Sequence, residues 1–126
     1  MDQGVKLAKR LNAKVSLIHV VDERIFLPLQ TIAVRSVLEE YEEELRKEAT
    51  QRLEKYAEKH SDSREFLNFK IMFGNPAKDI IDASEKFKAD LIILGSHSHA
   101  RFSNLFLGST AERVAQRAPC PILILK

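Results

Sequence analysis

The sequence predicts an α/β domain with a doubly wound, mostly parallel sheet and helices on both faces. Three observations carry the prediction. Short, densely apolar runs recur at 13–21, 66–73, 90–94 and 121–125. Segments of helical period lie between them, and no run alternates cleanly enough to be a half-solvated hairpin strand. Strands of parallel sheets read as near-continuous apolar runs, and their alternation with helices is the signature of βαβ construction. At 126 residues the chain is long enough for one core and too short for two, so residues 1–126 are read as a single domain.

Residues 2–12 place Val5, Leu7, Ala8 and Leu11 at near-helical spacing, with Asn12 as the stop. The run 13–21, AKVSLIHVV, is a strand expected to be buried on both faces, and His19 within it reads as a hydrogen-bonded core residue. In the apolar segment IFLPLQTIAV that follows, Pro28 argues against regular structure nearby. This stretch is a loop or short helix, serving either as a flap on its own domain or as a partner surface. From Ser36 to His60, Val37, Leu38, Tyr41, Leu45, Ala49, Leu53, Tyr56 and Ala57 recur every three or four residues. That is one long amphipathic helix, with Ser36 and Glu39 at capping-box spacing and the charges forming a solvated face.

Ser61-Asp62-Ser63 is a turn, and FLNFKIMF at 66–73 is the second strand. Gly74-Asn75-Pro76 breaks the chain, and Pro76 suits a first helical turn. Ala77, Ile80, Ile81, Ser84 and Phe87 mark one face of the helix it opens. A strand at 90–94 comes next, then a polar loop, then a helix from about Gly108 to Ala118 with the stripe Ala111, Val114, Ala115 and Ala118. Pro119 ends that helix, and 121–125, PILIL, is the last strand.

Composition removes several function classes. Twenty Lys and Arg against eighteen Asp and Glu leave a net charge of +2, without the basic field that drives nucleic-acid binding. The longest apolar runs fall far short of the roughly 20 residues that span a bilayer, so no membrane segment is expected. The single Cys120 cannot form an intrachain disulfide and reads as a small packed hydrophobe in a reducing, cytoplasmic setting.

The stretch Asp90 to Thr110 carries the chemistry. A buried strand reaches Gly95, passes through Ser96-His97-Ser98-His99, and restarts at Gly108-Ser109-Thr110 before a helix. Ligands of open α/β sheets bind beyond the carboxyl ends of strands, and a helix N-terminus offers backbone N–H groups to an anion. Gly108 would let a phosphate approach, Ser109 and Thr110 could bind its oxygens, and Arg101 is the nearest fixed positive charge; the other reading is that Gly108 and Ser109 only start a helix. Neither G-x-G-x-x-G nor the P-loop pattern is present. His97 and His99 could share a metal, but no third ligand lies near them, so no metal site is assigned. Gly95-Ser96-His97 lacks the nucleophile-elbow frame, and no catalytic residue is assigned either.

Three passages resemble the universal stress protein family: LIHVVDE at 17–23, GNPAKDII at 74–81, and the whole of 90–126. The third is similar to the family's nucleotide motif: a glycine, two residues, a glycine, nine residues, then glycine with serine or threonine. The resemblance implies an adenine-nucleotide-binding regulatory module that acts as a homodimer through the 121–125 strand. It implies ATP, with magnesium through the phosphates, and at most slow hydrolysis. On the matching positions Gly95, Ser98, Gly108, Ser109 and Thr110 would hold phosphates and ribose, with Val20 and Leu94 near adenine and sugar.

Two departures qualify this. Ser98 stands where the motif has its second glycine; if that position needs a positive φ, serine costs on the order of 1 kcal/mol, roughly fivefold in affinity. Its hydroxyl could instead donate to the phosphate. The family also opens with a strand and an aspartate-bearing loop, whereas this sequence starts in the following helix. The expectation is therefore an N-terminally incomplete domain, or else a gap between the strands at 14–20 and 90–94 that another chain or segment fills. The alternative function is a family member that binds no nucleotide and works through protein contacts.

Overall fold

Parallel strands cannot be joined by a tight turn, so each strand pair in this chain is closed by a helical crossover. The computed structural model describes residues 2–31, 34–59, 67–95 and 107–125. They form two compact units, one of residues 8–75 and one of residues 1–7 with 76–126.

Helix α1 (Asp2–Arg10) opens the chain, with Val5 and Ala8 buried. It ends as the sequence suggests: Asn12 takes the left-handed conformation (φ 51°), its N–H donates to Lys9, and the N–H of Ala13 donates to Ala8. This is the Schellman arrangement, which asparagine tolerates better than most residues. Leu11, expected on the buried stripe, is exposed because the helix has already ended at Arg10.

In the unit of residues 8–75, strand β1 (Val15–Asp22) pairs in parallel with β2 (Leu67–Gly74), in register from Val15 opposite Leu67 to Asp22 opposite Gly74. The crossover holds a 3₁₀ turn (Glu23–Phe26), the single turn α2 (Leu27–Gln30) and the long helix α3 (Arg35–Lys59). Asp22 starts the 3₁₀ turn by accepting from the Arg24 N–H at 3.0 Å while pairing with the Arg24 guanidinium. Of the loop or short helix expected around Pro28, the short helix is present; as the second residue of α2, Pro28 occupies a first turn, where a missing N–H costs nothing. The buried side chains of this unit include Ala8, Phe26, Ala49 and Leu53. Phe26 is buried, edge-on to Tyr41 at 5.9 Å and tilted against Phe73 at 6.2 Å, and the Arg46 guanidinium lies 4.6 Å from the Phe73 ring centroid.

Helix α3 corrects two expectations. Ser36 is not its N-cap: Val34 occupies that place, its carbonyl accepting from Val37 and Leu38, and Glu39 pairs with Arg35 instead of closing a capping box. Val37 and Tyr41 are exposed, since Leu38, Leu45, Ala49 and Leu53 form the covered stripe. Likewise β1 is half-buried along most of its length, not buried on both faces, and His19 is exposed.

The other unit contains α4 (Pro76–Phe87), β3 (Ile92–Gly95), α5 (Ser109–Arg117) and β4 (Ile122–Leu125). β3 and β4 are parallel, Ile92 opposite Ile122 through Gly95 opposite Leu125, and the Ile92 N–H donates to the Pro121 carbonyl at 3.0 Å. Ala77, Ile92 and Val114 form the core, with Ile80, Ile81, Leu94, Ala118, Cys120 and Ile122 packed against them. Cys120 is thus a packed small side chain, as expected. A Cβ placed on Gly4 would stand 3.5 Å from Ile93, so α1 approaches β3 at ordinary contact distance. The buried Ser84 hydroxyl donates to the Ile81 carbonyl at 2.7 Å, which satisfies it within its own helix. Phe87 and Ala115, expected inside, are exposed, and Ala83 takes a buried place on α4. α4 stops at Lys88, again left-handed (φ 51°), with Lys88 donating to Glu85 and Ala89 to Ser84.

The two ladders are separate two-stranded sheets, and among the described residues β1 has no ladder with β3. The turn at 61–63 and Phe66 lie outside the described residues.

Candidate functional site

The chain leaves β3 at its carboxyl end and must return to the opposite edge to start β4 in parallel. Helix α5 makes that return, so its first turn lies on the edge where β3 ends at Gly95. Gly108 is the N-cap, extended at φ −62° and ψ 147°, and supplies no side-chain cap. Its carbonyl accepts from the Glu112 N–H at 2.9 Å, which closes the first helical turn. By helix geometry the N–H groups of Ser109, Thr110 and Ala111 precede any intrahelical acceptor and point out of the helix end. The positive pole of the helix dipole adds to them, and the exposed Glu112 opposes it in part.

Ser109 is exposed and Thr110 half-buried, so both hydroxyls belong to the same end of α5 as these amides. Ala111 is buried, and it and Val114 anchor the helix while leaving its start at the surface. Leu94 packs against the core one residue before the strand ends. Among the described residues no heavy atom lies within 4 Å of where a Cβ on Gly95 would stand. Neither Gly95 nor Gly108 has a positive φ, so glycine relieves no backbone strain at either position.

The described residues therefore bring Leu94, Gly95, Gly108, Ser109 and Thr110 into one unit. Val20 lies on β1 of the other unit, half-buried and opposite Met72. Ser98, together with Ser96, His97, His99 and Arg101, lies outside the described residues. Ala111 was expected only as a buried face residue; its backbone N–H joins the helix-end donors because the first helical residue is Ser109, not Gly108. Among the described residues, the perturbed titrating groups lie elsewhere. Burial first, and then the positive Arg52, hold the His19 imidazole below its ordinary range. The side-chain hydrogen bond from Arg24 holds the Asp22 carboxyl below its own.

An α/β protein with a strand ending in glycine and an uncapped helix N-terminus on the same sheet edge is the class these features define. Comparison with known proteins makes it specific. The universal stress protein family model matches residues 1–126, and the chain belongs to that family. Universal stress protein MJ0531 of Methanocaldococcus jannaschii is 34% identical over 123 residues, covering 98% of this chain and 71% of the relative. Universal stress protein YxiE of Bacillus subtilis is 28% identical over 130 residues, covering all of this chain and 88% of the relative. Among solved structures, hypothetical protein MJ0577, a test case for structure-based assignment of biochemical function, superposes with a TM-score of 0.70 at 28% identity, over 99% of this chain and 86% of that one. Universal stress protein UspA from Lactobacillus plantarum superposes with a TM-score of 0.76 at 22% identity over the same shares, and shows the common fold. The doubly wound, mostly parallel α/β class expected from the sequence is thereby established. Among the described residues no helix is long and apolar enough to cross a membrane.

Proposed function

We propose that this universal stress protein binds an adenine nucleotide, ATP with magnesium carried on the phosphates, and serves as a cytoplasmic regulatory module. One observation supports the reading above others: the N-terminus of α5 has no side-chain cap and stands on the edge where β3 ends in Gly95. The N–H groups of Ser109, Thr110 and Ala111 and the two hydroxyls suit phosphate oxygens. The adenine preference rests on family membership, with Leu94 as the apolar neighbour within the same unit. No residue is assigned to catalysis. A homodimer through β4 accompanies the proposal, since among the described residues the edge of β4 away from β3 has no ladder partner.

The test is direct. Purified protein is denatured and the supernatant chromatographed for adenine nucleotide, and the native protein is heated with and without ATP and magnesium. Released nucleotide or a raised melting temperature supports the reading; an empty supernatant with no shift refutes it. A second reading, a family member that works through protein contacts, is favoured by the exposed apolar side chains between Ile25 and Tyr41.

A further inference from the structure

We infer that the surface formed by the 3₁₀ turn, α2 and the start of α3 docks a cationic amphipathic helix of another protein. The inference is independent of nucleotide binding. Val34 is 71% exposed, Leu27 56% and Val37 53%, and Ile25 and Tyr41 are also exposed. Tyr41 packs edge-on against Phe26, whose chain neighbours are Ile25 and Leu27, so the 3₁₀ turn lies against the start of α3. Val34, Val37 and Tyr41 fall at i, i+3 and i+7, one stripe along α3 beside the covered Leu38, Leu45 and Ala49. A grouped apolar surface of this kind marks an interaction site, whereas single exposed apolar side chains do not.

The charge around the stripe selects the occupant. From Ser36 to Leu45 the helix carries five glutamates, Glu39, Glu40, Glu42, Glu43 and Glu44, and no lysine or arginine. Glu39 is paired with Arg35 and Glu48 with Arg52. Glu40 and Glu44 lie three residues after Val37 and Tyr41, so they line the edge of the stripe that faces away from the core. A second copy placed on this patch about a two-fold axis would bring these glutamates against their own counterparts. An anionic membrane would be repelled in the same way. A helix with leucine-like side chains on one face and lysine or arginine beside them would bury the stripe and meet the glutamates. From Val34 to Glu44 the surface runs about 15 Å along α3, which a partner helix of roughly ten residues matches.

The probe is a fluorescein-labelled peptide of about 14 residues, leucine at i, i+3, i+4 and i+7 and lysine elsewhere, titrated with the full chain and followed by anisotropy. A second peptide carries glutamate for every lysine. The lysine peptide is expected to bind, more weakly as salt rises, and the glutamate peptide not to bind. Replacing Val34 and Val37 together by serine should weaken binding about tenfold or more. E40K with E44K should weaken the lysine peptide and admit the glutamate peptide. Circular dichroism of each variant confirms the helix content. Equal binding of both peptides, no binding of either, or undiminished binding after the serine replacements would overturn the inference. Self-association of the full chain that Val37→Ser abolishes would overturn it too, by assigning the patch to a second copy.

Discussion

Replacing Gly108 by aspartate should push stability and nucleotide affinity in opposite directions. Gly108 is extended at φ −62° and ψ 147°, a conformation open to any L-residue, so the substitution introduces no backbone strain. An aspartate there can accept from the first-turn amides that glycine leaves uncapped. Over glycine, the cap adds a few tenths of a kcal/mol and the charge–dipole term about 0.3–1, together roughly 0.5–1 kcal/mol. With a urea m-value near 2 kcal/mol/M, the midpoint should rise by about 0.25–0.5 M. The same carboxylate would occupy the donors proposed for phosphate and repel it. A single like-charge pair at about 6 Å and an effective dielectric near 20 repels by about 2.8 kcal/mol, and a second phosphate charge adds to it, so ATP affinity should fall more than a hundredfold. Urea unfolding followed at 222 nm and calorimetric titration with ATP read the two effects. A variant that is more stable yet binds ATP as the parent does would refute the phosphate assignment. A less stable variant would refute the cap geometry itself.

Three further outcomes are expected. Val114 is fully buried, so Val114→Ala removes two methyl groups from the core beside Ala77 and Ile92 and should cost about 2–3 kcal/mol, while Val34→Ala at the surface should stay within about 0.5; urea midpoints compare them. Lys88 holds a left-handed conformation that glycine adopts without cost, so Lys88→Gly should stabilise by about 0.5–1 kcal/mol in the same assay. Burial and Arg52 depress the His19 pKa below 6.5, so the folded state binds its proton less readily than the unfolded chain. The stability this contributes is present above 6.5 and lost as pH falls through the lower folded value. His19→Gln should therefore lose less stability than the parent on going from about pH 7.5 to about pH 5, the difference being modest at so exposed a site.

What the sequence could and could not reveal follows from the range of the forces involved. Element type was readable where local signals agreed: Asn12 and Pro76 mark the boundaries they were expected to mark, and Gly108 and Ala118 flank α5. Ser36 misled because its capping-box spacing with Glu39 is local, whereas the start of α3 is taken by Val34 and an Arg35–Glu39 ion pair. Pro28 left loop and short helix both open, and the short helix is found because a proline that would break a helix interior fits a first turn. Burial was the least readable quantity. Ala115, Phe87 and Tyr41 share helical period with true core positions, and only the neighbouring element decides which edge of an apolar stripe is covered. At the site, Gly95 and the 108–110 turn were visible from residue type and from the strand–loop–helix order. The backbone at these glycines was not: neither takes a positive φ, and the open space beside Gly95 is a property of its neighbours, which no single residue encodes.

The two parallel ladders also set the order in which the chain can assemble. Val15 meets Leu67, 52 positions later, whereas Ile92 meets Ile122 only 30 positions later. Closing the longer segment costs about 0.5 kcal/mol more chain entropy, before any difference in helix formation between the two crossovers. Neither pair can start from a hairpin, so both wait on a helix that has already bent the chain back. We predict that the Ile92–Gly95 amides gain protection before those of Val15–Asp22 in pulsed hydrogen exchange during refolding, and simultaneous protection would contradict it. On that schedule the half of the molecule bearing the proposed phosphate turn is built early, and a nucleotide could engage the chain while its longer crossover is still unformed.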